Sequence, residues 1–136
     1  IKTAPNLRIG VYEQEINEKF LSLTLSDAVL KVFSDLKIVI NQDGANRILG
    51  SYLFDPSVDG KLKIEQLSGG QKARFQLIKM FANSPELLIL DEPTNHLDLP
   101  SIEELENALE NYEGGIIYIS HDSYFVEKMG GEVIEL

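Results

Sequence analysis

Leu87-Leu88-Ile89-Leu90 is an uninterrupted apolar run that ends in two adjacent carboxylates, Asp91 and Glu92. A run with no polar face, bounded by Ser84-Pro85, reads as a strand buried on both sides, the pattern of parallel sheets. A second run, Ile116 to Ile119, follows Gly114-Gly115 and leads into Ser120-His121-Asp122. Between the two runs, Pro100 and Ser101 open a helix with Ile102, Leu105, Leu109 and Tyr112 inward and Glu103, Glu104, Glu106 and Glu110 outward. Strand, helix and strand make a βαβ unit with a right-handed crossover, so the fold class is α/β. In such sheets ligands gather beyond the carboxyl ends of the strands, which puts Asp91, Glu92 and His121 on one edge.

The rest of the chain is organised around that core. Leu7 to Tyr12 has apolar residues at 7, 9 and 11 and reads as a strand, with Gln14 just beyond its end. Between Leu21 and Gln66 the pattern turns helical: Ser26 and Asp27 can cap Ala28 to Leu36, and Asp43 can open a helix bearing Ile48, Leu49, Tyr52 and Leu53. Asp55-Pro56 and Asp59-Gly60 are turns. Ser68 is a candidate N-cap for a helix from Gly69 to Asn83, which puts Ser68-Gly69-Gly70-Gln71 at a helix N-terminus. A short helix from Ser123 to Lys128, a Gly130-Gly131 break and a last strand at Glu132 to Leu136 complete the reading. The expected layout is a strand region at 1–20, a helical subdomain at 21–83 and a sheet core at 84–136.

Composition narrows the function. The 136 residues suit one compact domain, and 12 basic against 22 acidic residues give a net charge of -10, which disfavours nonspecific attraction to nucleic acid or anionic membrane. There is no cysteine, so disulfides and thiolate metal sites are excluded, as suits a reducing cytoplasm. No apolar run approaches the roughly 20 residues of a membrane span, and the first residues lack a signal-peptide core.

The polar residues at the sheet edge match the needs of triphosphate hydrolysis: a metal to offset oxygen charge, a group to orient water, and donors to the transferred phosphoryl. Asp91 suits a Mg²⁺ contact, because hard cations favour oxygen ligands. Glu92 suits the base that polarises water, His121 a donor to the γ-phosphate, and Gln14 a bridge between metal and water. The Ser-Gly-Gly segment can offer backbone N–H groups to an anion. Each feature alone is commonplace, since an Asp-Glu pair often starts a helix and Ser-Gly-Gly is often a flexible turn. Ser120-His121-Asp122 cannot be a nucleophilic triad, because adjacent residues cannot stack in that geometry. No G-x-x-x-x-G-K-S/T phosphate loop occurs: Gly44 to Ser51 has five intervening residues and no Lys.

With these motifs in order, the chain resembles the C-terminal part of an ABC-type nucleotide-binding domain. The resemblance implies that Gln14 is the Q-loop glutamine, Leu67 to Gln71 the signature motif, and Leu87 to Glu92 the Walker B strand with its catalytic glutamate. It makes Asn95-His96-Leu97-Asp98 the D-loop and His121 the switch histidine. It further implies ATP and Mg²⁺ as ligands, with Ser68, Gly69, Gly70, Gln71 and Asp98 serving nucleotide across a head-to-tail sandwich with a second cassette. Asp91-Glu92-Pro93-Thr94-Asn95-His96-Leu97-Asp98 is similar to the ABC-F group, soluble tandem-cassette proteins that act on ribosomes. Arg47 to Phe54 and Ser120 to Phe125 are similar to it as well, the former leaning toward its second cassette. The family's Walker A loop would lie upstream of Ile1, so the fold expected is a partial P-loop domain, inactive alone and prone to self-association through uncovered sheet surface. A transporter ATPase and a catalytically inactive interaction module are the alternative readings.

Overall fold

The computed structural model describes residues 6–132. Three strands, β1 (Ile9–Val11), β2 (Leu87–Asp91) and β3 (Gly115–Ile119), form a parallel sheet in the order β1-β2-β3. Between β1 and β2 run α1 (Glu18–Leu21), α2 (Leu25–Asp35), α3 (Gln42–Ser51), two 3₁₀ turns at Asp59–Lys61 and Ile64–Gln66, and α4 (Gly69–Phe81). Helix α5 (Leu99–Glu110) crosses from β2 to β3, and α6 (Ser123–Met129) follows. The expected final strand lies, apart from Glu132, outside the described residues.

The helices begin where a short polar side chain reaches a backbone N–H three residues on. Ser68 does this for α4, accepting from Gln71 N at 3.2 Å, while Gln71 Oε1 accepts from Ser68 N at 3.0 Å in a capping box. Two expected caps are displaced. Helix α2 is capped by Thr24, accepting from Asp27 N at 3.2 Å, so Ser26 and Asp27 lie within the first turn. Helix α3 is capped by Asn41, accepting from Gly44 N at 2.8 Å, and Asp43 is inside it. At Thr24 the tertiary structure decides, because a bridge to Lys63 holds that residue in the extended conformation a cap requires.

Two apolar clusters meet along α4. Phe20, Leu25, Val29, Leu49, Ile64, Phe75 and Ile78 form one among the helices. Tyr12, Leu77, Met80, Leu88, Leu90, Leu105, Leu109 and Phe125 form the other beneath the sheet. Helix α4 therefore supplies a wall to both, with Phe75 and Ile78 on one side and Leu77 and Met80 on the other.

The strands are not buried on both faces, contrary to the reading of the Leu87 run. Leu88 and Leu90 are sealed against α4 and α5, but Ile89 is 36% exposed and its neighbours Val11 and Ile117 are each 55% exposed. One face of the sheet is bare and apolar among the described residues, because every helix packed on the sheet covers the other. Gly10 in β1 and Tyr12 just past it are covered, leaving Val11 on the open side. Gly10 lets α4 approach: a Cβ there would stand 2.7 Å from Met80 O and 2.8 Å from Leu88 Cδ2.

Candidate active site

The carboxyl ends of the three strands bring distant segments together. Past β1, Gln14 turns its side chain to the end of β2, where Nε2 donates to Asp91 O at 3.1 Å and to Glu92 O. Both contacts use the amide nitrogen, so the amide oxygen is left to face a cation or water. Glu92 sits in the left-handed region at φ 44°, a conformation that costs a β-carbon residue energy and collects at functional sites. Its backbone N donates to Ile119 O at 2.8 Å, which fixes it to β3. Its carboxylate accepts from His121 N at 3.2 Å and contacts His121 Nδ1. The His121 side chain is otherwise 91% exposed, so its Nε2 edge is open to a ligand. Asp91 is exposed at the last position of β2, opposite Ile119. Gln14, Asp91, Glu92 and His121 thus form one constellation.

Asp122 has a separate task. It caps α6, accepting from Phe125 N at 3.1 Å, and accepts from Thr94 Oγ1 at 3.2 Å. The carboxylate that follows His121 is turned away from it, as the exclusion of a triad required.

Ser68 to Gln71 form a second group. In the capping box Ser68 Oγ and Gln71 Oε1 both accept, so the donors left at the start of α4 are the Ser68 O–H, the Gln71 amide Nε2 and the Gly69 and Gly70 N–H groups. Asp98 lies against them: a Cβ on Gly69 would collide with Asp98 Oδ2. Asp98 also caps α5, accepting from Ser101 N at 3.0 Å and from Ser101 Oγ. Those bonds, chiefly the one from the Ser101 hydroxyl, hold its carboxyl below the usual carboxylate range. A cavity of about 360 Å³ is lined by Gly69, Lys72, His96, Asp98 and Ser101, and also by Gln14. Gln14 therefore borders both groups. A larger cavity, about 690 Å³, lies among Tyr52, Leu53, Arg74, Glu104 and Tyr112 and contains none of these residues.

No cluster of three or more His, Asp or Glu side chains among the described residues could hold a metal alone. Asp91 and the Gln14 amide oxygen nevertheless fit Mg²⁺, which commonly takes one or two protein oxygens and fills its shell with water and substrate phosphates. The pair suits a cation that arrives with a triphosphate.

Two contributors were not read from the sequence. Gln76 is 3% exposed and donates from Nε2 to Glu13 O at 2.7 Å, and Lys79 Nζ meets Glu13 Oε2 at 2.6 Å. Gln76 could have been noticed as the one amide among Ala73, Phe75, Leu77, Ile78 and Met80 on the buried side of α4.

The sequence matches the family described as "ABC transporter" over residues 2–95. It is 43% identical to YdiF of Bacillus subtilis, which is named as an ATP-binding protein, over 100% of this chain and 20% of that protein. It is 40% identical to ABC transporter F family member 2 of Arabidopsis thaliana, over 96% of this chain and 19% of that protein. It is 46% identical to the energy-dependent translational throttle protein EttA of Haemophilus influenzae, over 57% of this chain and 14% of that protein. Among solved structures, cbiO1 from Clostridium perfringens, part of the ABC transporter complex cbiONQ, superimposes with a TM-score of 0.62 at 24% identity, over 85% of this chain and 47% of that one. The chain thus spans about a fifth of the length of the curated relatives it matches. No helix among the described residues is long and apolar enough to cross a membrane. With its parallel sheet, its capped Ser-Gly-Gly helix and its strand ending in Asp91-Glu92, the chain belongs to the ABC transporter family of ATPase domains, within the ABC-F group.

Proposed function

We propose that this chain is the part of an ATP-hydrolysing cassette that handles the attacking water and the metal edge of the nucleotide, in a cytoplasmic ABC-F protein that acts on the ribosome. The observation that carries the reading is the Gln14, Glu92 and His121 constellation at the end of β2. Glu92 is the base: its carboxylate is pinned by the His121 N–H and takes the proton of the attacking water. His121 turns its free edge to the γ-phosphate, donating to the oxygens that gain charge. Gln14 orients water and cation with its amide oxygen, and Asp91 supplies the carboxylate for Mg²⁺. When bound, Mg²⁺ offsets charge on the β and γ oxygens.

Ser68, Gly69, Gly70 and Gln71, with Asp98 beside them, serve the nucleotide of a second cassette in a head-to-tail pair. The chain contains no G-x-x-x-x-G-K-S/T loop and by itself turns over no ATP. Its bare sheet face makes it self-associate. The ribosomal target is supported by the relation to EttA, a translational throttle by name. The test is Glu92→Gln in the full-length polypeptide that contains this chain. Turnover should fall by about 10²–10⁴-fold with ATP binding intact, and the ATP-bound variant should sediment with ribosomes rather than membranes. Undiminished turnover would remove Glu92 from the mechanism, and sedimentation with membranes alone would favour a transporter ATPase.

A further inference from the structure

Gln76 is an expensive residue where it stands. Its Nε2 must face the Glu13 carbonyl, which needs a donor, and this leaves its Oε1 buried with no partner. An unpaired buried acceptor lowers stability; a methionine of similar volume would remove it and leave the Glu13 carbonyl, on an exposed residue, to water. What Gln76 supplies is therefore position. One turn further on, Lys79 holds the Glu13 carboxylate, so helix α4 grips both the backbone and the side chain of the residue immediately before Gln14.

The same helix starts at the other nucleotide-facing group. Gly69, Ala73 and Gln76 follow one another on one face and line the same cavity as Gln14. The seven steps of helix from Gly69 to Gln76 span only about 10 Å of a stiff, hydrogen-bonded rod. A shift of Gln14 at the end of β2 therefore reaches the Ser-Gly-Gly end of α4 through two bonds and two turns of helix.

We infer that Gln76 is a positioning residue, which holds the Glu13 carbonyl so that Gln14 stays on Asp91 and Glu92 and makes α4 a lever between that site and the Ser68-Gly70 end. The inference rests on the function proposed above. The test uses the full-length polypeptide that contains this chain, with Gln76→Met, which keeps volume and removes the donor, and Lys79→Met, which removes the side-chain grip. Without nucleotide, hydrogen exchange of the Tyr12 amide, whose bond to Ile89 O is the last strand-pairing bond before Glu13, should accelerate by about five- to tenfold in Gln76→Met, with the melting temperature held. Lys79→Met should do the same more weakly, because the Glu13 side chain is 53% exposed.

With ATP, the Mg²⁺ concentration for half-maximal turnover should rise several-fold in Gln76→Met while the KM for ATP stays within about twofold. Unchanged exchange of the Tyr12 amide would overturn the inference. So would raised exchange with an unmoved Mg²⁺ midpoint, or protection lost evenly across both apolar clusters with a lowered melting temperature. A wild-type protein without Mg²⁺-dependent turnover would instead refute the proposed function, and the exchange measurement would still decide the grip on Glu13.

Discussion

Replacing Tyr12 by Phe should stabilise this protein, and by more at alkaline pH than near neutrality. Tyr12 directly follows β1 on the way to Gln14; it is 4% exposed, and its hydroxyl is buried without a partner. Burial pushes its phenol from 10.0 up to about 12. The sign follows from linkage: with the folded value raised, the group's contribution is whole below pH 10 and is lost as pH rises toward 12. At about pH 11 the unfolded phenol is mostly ionised and the buried one is not, so the native state loses about 1 kcal/mol relative to neutral pH. Phe removes that loss, and it removes an unpaired hydroxyl whose burial costs about 1–3 kcal/mol. The expected gain is about 1 kcal/mol near pH 8, growing by about 1 kcal/mol more near pH 11. Urea unfolding of wild type and Tyr12→Phe at both pH values measures it, since the other titrating groups cancel in the difference. A gap that does not widen with pH, or a variant less stable near pH 8, would refute the reasoning.

Gly10→Ala should destabilise by about 1–3 kcal/mol, because the new methyl meets Met80 O and Leu88 Cδ2; an unfolding midpoint equal to wild type would show that α4 can retreat. Asp98 titrates below the ordinary carboxylate range, so its cap on α5 is intact above the unfolded value of about 4 and is lost as pH falls through the lower folded value. Asp98→Asn should flatten the acid limb of the stability curve and leave the neutral plateau in place, because Asn caps about as well as Asp, as circular dichroism against pH would record. Ile117→Lys, on the bare side of β3, should shift this chain from concentration-dependent association toward monomer in sedimentation; association of equal strength would place the contact elsewhere.

Local signals carried the element types well. The Ser68 N-cap, the Pro100-Ser101 helix start and the apolar runs at 87–90 and 116–119 are all short-range chemistry, and each forms the element its pattern implies. The caps of α2 and α3 were misplaced because Ser, Thr, Asn and Asp crowd those starts. Propensity cannot choose among several capable side chains, whereas the bridge between Thr24 and Lys63 can. The Leu87 run read as doubly buried because periodicity reports only that a segment lacks a polar face. Which face meets a helix depends on where α4 and α5 pack.

The sequence by itself determined the strand-helix-strand core, the Ser-Gly-Gly helix start and the residue types at the sheet edge, because each rests on interactions within a few residues. Only the tertiary structure decided that Gln14 reaches the backbone of Asp91 and Glu92, that His121 pins the Glu92 carboxylate, and that Asp98 lies on Gly69. Those contacts join residues 29 to 78 positions apart, and they exist because parallel pairing aligns the carboxyl ends of β1, β2 and β3 on one edge. The grip of Gln76 on Glu13 has the same origin: a helix wedged between two apolar clusters presents to the first strand a side chain that no local pattern assigns to it.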